Sequence, residues 1–349
     1  MYDLAQALGI SVGTVYRALH KTGRINPETQ RKVLEMAARM DYQINSNAQS
    51  LRMKTQKIGF LICCPIKQFG DEIEKGAKAA LEDIGGFNLI IDFRVTPNVN
   101  AEQGRTEVSK ALLDFSDGDY DGAILFLSGS TAAFKKDLAK LDEKGIPIVT
   151  LVNDIPLSHR VLHVAADGFT AGKMAADILS LCCKGGIVAV LTGSKETYIH
   201  HENLEGFMAG QVNRPFARVD VWEHQDDPDT VRSQMHKILT NHPGYDGIYI
   251  TSASVIEAFE ILNTEKTGEF PYIVTTDLFV ENRMLLRKRI ASATIFQSPY
   301  QQGKKAVSRI YQILCGKNVE PRLLVMPQPV FPSNEPLMPG DVSGMGDNL

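Results

Sequence analysis

The sequence lacks an apolar run long enough to cross a membrane, since no stretch approaches the ~18–20 continuous apolar residues that a spanning helix requires. It also lacks a visible secretory signal, because its first 30 residues contain no apolar segment bounded by a cleavage site. We therefore expect a cytoplasmic protein without a membrane partner. An apolar share of 44% and a charged share of 22% are typical of a soluble globular protein, and 349 residues predict two or three domains.

Cysteine is scarce, and its arrangement does not suit a disulfide framework. The chain has five cysteines, an odd number, and four of them form the vicinal pairs Cys63-Cys64 and Cys182-Cys183. Both pairs lie at the ends of apolar runs. This pattern predicts buried, reduced thiols rather than a redox or metal site.

Familiar catalytic motifs are missing as well, because the sequence contains no Walker A loop, no GxSxG elbow and no HExxH motif. His200, His201 and Glu202 are consecutive, so on a helix their side chains point ~100° apart and cannot easily share one ion. His159 and His163 are only loosely spaced. We predict a protein that is not an enzyme and that needs no metal or cofactor.

The charge is divided unevenly along the chain. Residues 1–57 contain nine Lys or Arg and four acidic residues, a net charge of +5, whereas the remainder carries −9. A basic head on an acidic body indicates that only the head contacts a polyanion.

Residues 1–45 predict three short helices. The first spans Tyr2 to Leu8, and Ser11 is placed as the N-cap of the second. Asn26-Pro27-Glu28 is typical of a cap followed by proline at the first helical position. Residues 42–57 are polar and basic, and they predict a linker with a short helix at Ser46–Leu51.

From Ile58 onward, short apolar strands alternate with amphipathic helices, which is typical of βαβ units and parallel sheets. An internal repeat supports two similar halves, since Tyr120-Asp121-Gly122 matches Tyr245-Asp246-Gly247 at an offset of 125, and Ile148-Val149-Thr150 matches Ile273-Val274-Thr275 at the same offset. Two such open sheets form a cleft with ligand groups at the carboxyl ends of the strands. The predicted strands are Lys57–Cys63, Phe87–Phe93, Ala123–Leu127, Ile146–Leu151, Ile187–Leu191, Ile248–Thr251, Tyr272–Thr276 and Ala291–Phe296.

The head has the spacing of a helix-turn-helix motif followed by a supporting helix. Arg17 is the strongest candidate for a bidentate contact to guanine, and Ser11 and Thr14 suit phosphate contacts. A plain three-helix domain that contacts another protein is the alternative. The predicted DNA-contacting residues of the head and linker are Tyr2, Ser11, Val12, Gly13, Thr14, Tyr16, Arg17, His20, Asn45, Ala48 and Leu51.

These strings together resemble the lactose-repressor/galactose-repressor (LacI/GalR) family over essentially residues 1–338. The resemblance is carried by YDLAQALGIS, TVYRAL, NPETQRKVLEMAARMDY and, in the linker, SNAQSLR. It implies that Ser46–Leu51 forms a hinge helix on specific DNA, with Leu51 wedged between base pairs and Ala48 beside it. The family usually caps the first helix with Thr or Ser just before the position of Met1, so we expect the natural start to lie upstream. Ile44 stands where proline is common, which leaves the linker less restrained.

The body resembles the periplasmic sugar-binding fold, through the strings YIVTTD and ATIFQSPYQQG. The resemblance implies that Asp277 and Gln297 bind ligand hydroxyls and that Phe69 lies against an apolar sugar face. Locally, the same residues could cap a helix, bond the backbone or fill the core. Asn203 replaces the usual arginine and Gly70 a common second aromatic, which puts an ordinary hexose or pentose in doubt. The predicted ligand-contacting residues are Phe69, Asp71, Ser128, Asn153, Asp154, His200, Asn203, Ser252, Asp277 and Gln297.

The predicted fold class is an all-α helix-turn-helix head plus an α/β body, with two doubly wound parallel-sheet subdomains of the type I periplasmic-binding-protein kind. The predicted function is a homodimeric, sequence-specific repressor of palindromic operator DNA, controlled by a sugar or polyol. A solute receptor, a sugar-handling enzyme with the same two-lobed fold, and a DNA-binding regulator that senses no ligand are the alternatives. The predicted domains are 1–45 for the DNA-binding head, 46–57 for the hinge, 58–338 for the ligand-binding and dimerisation body, and 339–349 for a disordered tail; the N-subdomain takes 58–154 and 298–324, and the C-subdomain takes 155–297 and 325–338.

Overall fold

The computed structural model describes residues 2–20, 25–39, 54–85, 88–96, 102–211, 215–225, 227–240, 244–252, 254–264 and 271–339. The chain divides into two compact units, Met1–Lys54 and Thr55–Leu349, which we name the head and the body. The predicted hinge helix Ser46–Leu51, the linker residue Asn45 and the tail beyond Pro339 lie outside the described residues.

The described residues of the head form three helices: α1 (Tyr2–Leu8), α2 (Val12–His20) and α3 (Pro27–Arg39). Both predicted caps are made, because Ser11 Oγ accepts from Thr14 N–H (3.2 Å) and Asn26 Oδ1 accepts from Glu28 N–H (2.8 Å). A small core closes the unit, and its fully buried members come from all three helices. They are Leu4, Val15, Ala18 and Val33.

The body contains two six-stranded sheets with matching strand orders, β11-β5-β4-β3-β1-β2 and β12-β10-β9-β8-β6-β7. We name the two halves lobe one and lobe two. All neighbouring strands are parallel except β12, which pairs antiparallel with β10. The strands of lobe one are β1 (Gln56–Cys63), β2 (Leu89–Thr96), β3 (Gly122–Leu127), β4 (Ile148–Leu151), β5 (Arg160–Ala166) and β11 (Arg322–Val325); those of lobe two are β6 (Ile187–Thr192), β7 (Arg218–Glu223), β8 (Gly247–Ile250), β9 (Tyr272–Thr276), β10 (Ala293–Phe296) and β12 (Gln328–Val330).

Helices cover both sheets, and the chain crosses between the lobes three times, after β5, after β10 and after β11. No helix in the described ranges is long and apolar enough to cross a membrane. The helices of the body are α4 (Lys67–Ile84), α5 (Glu102–Asp117), α6 (Lys135–Glu143), α7 (Gly168–Cys183), α8 (Tyr198–Gly210), α9 (Pro228–Thr240), α10 (Val255–Thr264), α11 (Val280–Arg287) and α12 (Pro299–Leu314).

All eight predicted strands are present, with ends that move by up to three residues, whereas β5, β7, β11 and β12 were not predicted. The missed strands contain charged residues or are only three or four residues long, so they lack the continuous apolar run of a central strand. Because β5 pairs with β4 in lobe one, lobe two begins after Ala166 rather than at residue 155. The other two crossings in the observed strand order follow β10, which ends at Phe296, and β11, which ends at Val325.

The repeated Tyr-Asp-Gly string has one structural role in both lobes. Asp121 Oδ2 accepts from Lys57 N–H (2.8 Å) at the start of β1, and Asp246 Oδ2 accepts from Ile187 N–H (2.7 Å) at the start of β6. Each aspartate thus supplies an acceptor to the first strand of its sheet, which fixes the strand's position. The tyrosines each donate to an aspartate of the outer strand, Tyr120 to Asp92 (2.5 Å) and Tyr245 to Asp220 (2.8 Å).

Close helix pairs repeat in the same way, with α4 packed on α12 in lobe one and α7 packed on α8 in lobe two. Glycine permits this approach, because a Cβ atom at Gly76, Gly172, Gly206 or Gly303 would lie 1.9–2.0 Å from a backbone carbonyl oxygen of the facing helix. The two lobes therefore share their packing as well as their strand order.

Candidate functional site

A cavity of about 350 Å³ lies between the carboxyl ends of the two sheets. Many of its lining residues directly follow a strand: Cys64 follows β1, Ser128 follows β3, and His224 follows β7. Its volume is within the range of small-molecule sites, and its position at the strand ends is the usual one in open α/β folds.

Seven of the ten predicted ligand residues line this cavity. They are Phe69, Ser128, Asn153, His200, Ser252, Asp277 and Gln297. Their common lining fits the expected cleft, and their role as ligand contacts remains a prediction.

Asp71, Asp154 and Asn203 do not line the cavity. Asp71 pairs with Lys67 one helical turn away (Nζ to Oδ2, 2.6 Å) on an exposed face of α4. Asp154 accepts from the Thr150 hydroxyl (2.7 Å), so its carboxylate is used within lobe one. A strand-end position was thus not enough to place a side chain in the cavity.

Asn203 lies one helical turn beyond His200 and is 1% exposed. Neither its amide nitrogen nor its amide oxygen has a hydrogen-bond partner among the described residues. A buried amide without partners is costly, so this position of α8 has hydrogen-bonding capacity that the protein itself leaves unused.

Asp277 and Gln297 form the centre of the lobe-two wall. Gln297 donates to both carboxylate oxygens of Asp277, from its backbone N–H (3.1 Å) and from its side-chain amide (2.9 Å). Asp277 is only 4% exposed, and burial raises its pKa to about 7, against the lowering effect of the two hydrogen bonds from Gln297. The pair therefore presents a carboxyl group that titrates near neutral pH beside a fixed amide.

Asp277 lies at a left-handed backbone bend, here called the corner, that occurs at the equivalent position of both lobes. Its φ is 68°, and Val152, which lies 125 positions earlier, has a φ of 66°. Both residues directly follow equivalent strands, and both donate their N–H to the neighbouring strand, Val152 to Val164 O (2.9 Å) and Asp277 to Ile295 O (2.9 Å). The backbone is thus the same at the two corners, while one side chain is apolar and the other a carboxylate.

A cluster of hydroxyls and an imidazole extends the lobe-two wall. Ser252 Oγ lies 2.7 Å from Ser254 Oγ and 3.3 Å from His224 Nε2. His224 was missed from the sequence because the strand before it, β7, was missed, and so its carboxyl end was not searched. Ser254 and Glu257 also line the cavity. They were missed because they lie four and seven residues after the end of β8, and only residues directly after a strand were considered.

The lobe-one wall is largely apolar. The Phe69 and Phe126 rings lie 5.9 Å apart, with Ile66 and Val152 beside them in the lining. Cys64 also faces the cavity, and burial raises the pKa of its thiol to about 12, so the group is uncharged at neutral pH. This thiol donates to Ile66 O (3.4 Å).

The charges of the cavity are unbalanced. Its described lining contains two carboxyl groups, Asp277 and Glu257, and two imidazoles, His200 and His224, but neither Lys nor Arg. No group of three or more potential metal ligands occurs in the part of the chain that the structure describes. The site therefore offers its carboxyl groups and imidazoles from lobe two, and aromatic rings from both lobes, with Phe69 and Phe126 in lobe one and Phe279 in lobe two.

In the head, four of the predicted DNA-contacting residues are exposed on α2 or directly before it. Ser11, Gly13 and Arg17 are exposed, and Tyr16 is 42% exposed. Arg17 donates to the Thr14 hydroxyl (3.3 Å), while Val12 and Thr14 are half-buried. Tyr2 and His20 lie in helices, but their side chains are not described, and Asn45, Ala48 and Leu51 lie outside the described residues.

The strand orders, the three crossings and the cavity between them define a two-lobed α/β receptor of the type I periplasmic-binding-protein kind. The family model for the periplasmic binding protein domain matches residues 58–318, and the chain belongs to this family. Several curated relatives are regulators of the LacI/GalR kind, which confirms the resemblance drawn from the sequence motifs.

One relative is the ribose operon repressor of Lactococcus lactis, 24% identical over 333 residues, which cover 93% of this chain and 94% of that protein. Another is the ribose import binding protein RbsB of Escherichia coli, 22% identical, with coverage of 82% of this chain and 93% of that protein. Among solved structures, GanP of Geobacillus stearothermophilus, a glucose-galactose binding protein, is 25% identical with a TM-score of 0.71, and the match covers 81% of this chain and 99% of that one.

Proposed function

We propose that this protein is a transcription regulator that binds DNA through its head and a small, uncharged, polyhydroxylated molecule in the cavity of its body. The observation that carries the proposal is the presence, in one chain, of a three-helix head and a receptor cavity, matched together over 93% of the chain by a ribose operon repressor. The fold match to the solute-binding protein GanP covers 81% of this chain, a smaller share than the repressor match.

The ligand class follows from the two unlike walls of the cavity. The Phe69 and Phe126 rings suit the C–H face of a sugar or cyclic polyol. Asp277 and Gln297 can each hold two hydroxyl groups on the other side. Because no Lys or Arg stands among the described lining residues, a phosphorylated or carboxylated ligand would bring an unpaired negative charge next to Asp277 and Glu257. An uncharged polyol avoids this cost.

The head supports DNA binding through α2. Arg17 extends from an exposed face and can donate two parallel hydrogen bonds to a guanine edge. The first turn of α2 has no acidic residue, and its backbone N–H groups suit a phosphate. We also propose that the linker wedge, with Leu51 and Ala48, and a symmetric dimer on a palindromic operator complete the interaction.

The coupling between the sites is proposed to pass through the second crossing between the lobes. Gln297 bonds Asp277 in lobe two, and the next residue, Ser298, has a φ of 55° and precedes α12, which packs in lobe one. A ligand that binds Gln297 would therefore act directly on the segment that connects the two lobes. The coupling needs only ~1–3 kcal/mol between ligand and DNA, and it must be reciprocal.

The test combines thermal shift with DNA binding on the full chain. D-ribose, D-galactose and myo-inositol are compared with D-ribose 5-phosphate, and any ligand that raises Tm is added to an anisotropy titration of a palindromic duplex library. We expect an uncharged sugar or polyol to raise Tm and to change DNA affinity, while the phosphate does neither. Stabilisation by the phosphate alone would refute the ligand class, and turnover of a bound sugar would favour an enzyme. Ligand binding without salt-sensitive DNA binding would favour a solute receptor.

A further inference from the structure

Gln68 bridges the two lobes at the edge of the cavity. It lies in the first turn of α4 in lobe one, and its side-chain Oε1 accepts from the backbone N–H of Val280, the first residue of α11 in lobe two (3.1 Å). Its Nε2 donates to Glu281 Oε2 (3.3 Å). The neighbours Phe69 and Phe279 both line the cavity, so the bridge stands beside the ligand site without being part of its lining.

The bridge gives α11 the side-chain N-cap that the helix lacks within its own lobe. The N-cap position of α11 is Phe279, whose side chain cannot accept a hydrogen bond, and the helix has no side-chain cap of its own. The first N–H groups of a helix have no partner within the helix, and a side-chain acceptor at this end stabilises the helix. Helix α7 of the same lobe is different, because its own Asp167 accepts from Thr170 N–H (2.9 Å).

The first turn of a second lobe-two helix, α8, also donates a backbone hydrogen bond to an amide side chain of lobe one. The N-cap of α8 is Thr197, which makes no side-chain cap hydrogen bond. Across the cavity, Asn153 Oδ1 accepts from Ile199 N–H in the first turn of α8, at the longer distance of 3.5 Å. Amide side chains of lobe one thus face the uncapped starts of two lobe-two helices.

We propose that Gln68 caps α11 from the opposite lobe and thereby sets how firmly the two lobes hold together. The cap exists only while the lobes are in contact at this edge, so its free energy belongs to the lobe contact and not to either lobe alone. Resting on the proposed function, Gln68 then determines ligand affinity without touching the ligand, because a ligand enclosed by both lobes gains whatever stabilises their contact.

The experiment uses the ligand-free full chain and hydrogen–deuterium exchange. Gln68→Met keeps the length of the side chain and removes both hydrogen bonds across the lobes. Amide exchange in the first turn of α11 should become about tenfold faster, and the first turn of α7, capped within its own lobe, should not change. The matched control is Gln103→Met, since Gln103 bonds Glu107 of its own helix (3.0 Å) and no residue of the other lobe in the described ranges, and this variant should exchange like the wild type.

Gln68→Asn retains the amide, but its side chain is one methylene too short to reach α11. It should therefore also speed up amide exchange in the first turn of α11. This second variant tests the proposal even in the case that Gln68→Met does not fold. Exchange in α11 that is equal in both Gln68 variants and in the wild type would overturn the proposal. With D-ribose as the probe, Kd should rise about tenfold in Gln68→Met, equivalent to about 1.4 kcal/mol, and stay constant in Gln103→Met. Because the exchange measurement needs neither ligand nor DNA, failure of the proposed function and failure of the cross-lobe cap are separate results.

Discussion

Asp277→Asn should stabilise the ligand-free protein while abolishing its response to ligand. Burial raises the pKa of Asp277 to about 7, whereas an unfolded aspartate has a pKa near 3.9. Stability is therefore greatest below the unfolded pKa, where the carboxyl is protonated in both states, and it is lost as the pH rises towards the folded pKa. Asparagine cannot ionise, so it removes this loss. It also tolerates the left-handed backbone at φ 68°, which alanine does not.

The magnitude follows from the pKa. Each pKa unit corresponds to about 1.4 kcal/mol, so the wild type loses roughly 1–2 kcal/mol at pH 5 and about 4 kcal/mol at pH 8.5. For a chain of this size, about 2 °C in Tm corresponds to each kcal/mol, and the variant should melt about 8 °C higher at pH 8.5 but only about 3 °C higher at pH 5.

Differential scanning fluorimetry at the two pH values, with and without the sugar that stabilises the wild type, is the appropriate assay. The sugar should no longer raise Tm in Asp277→Asn, because the acceptor for its hydroxyls is weakened and the Gln297 amide is reoriented. A stability difference that is identical at pH 5 and pH 8.5 would show that the carboxyl does not ionise in the folded protein near neutral pH, and the reasoning would fail.

Three other substitutions test the head and the body. Arg17→Ala should cost about 1–3 kcal/mol in binding to the operator and leave the sugar-induced Tm shift intact, measured by anisotropy with specific and scrambled duplexes; equal losses for both duplexes would contradict base recognition. Gly303→Ala should lower the free energy of unfolding by at least ~2 kcal/mol in a urea titration, because its Cβ would lie 2.0 Å from Ile73 O; an unchanged midpoint would show that α4 and α12 separate freely. Glu335→Ala should cost about 3–5 kcal/mol in the same titration, because it leaves the buried Arg283 guanidinium (Nη1 to Oε1, 2.6 Å) without its carboxylate; a loss below 1 kcal/mol would mean that water replaces it.

Continuous apolar strands and repeated strings made the architecture predictable from the sequence. The offset of 125 predicted that β4 in lobe one is equivalent to β9 in lobe two, and both strands do occupy the third position in the strand order of their sheets. The outer strand β7 was missed because its sequence, RVDVWE, alternates charged and apolar residues, and a search for continuous apolar runs does not recognise such a half-buried strand. Missing β7 also hid His224, since a residue at a strand end can be recognised only when the strand is known.

The direction in which a side chain points was the second feature that could not be predicted from the sequence. Asp154 follows Asn153 directly, yet only Asn153 lines the cavity, because successive residues at a strand end point to different sides. Gln68 was invisible for another reason. Its partner Val280 lies 212 positions away in the other lobe, and no local pattern links an amide to a distant helix that lacks its own cap.

The paired corners at Val152 and Asp277 separate the shape of the cavity from its chemistry. A β-branched residue is strained at a φ of 66°, so the corner at Val152 is retained against the preference of its own side chain. The two lobes share this backbone bend, while the side chains on it differ in polarity. Both residues line the cavity, so substitutions at these two positions should change its chemistry while the backbone around it stays the same.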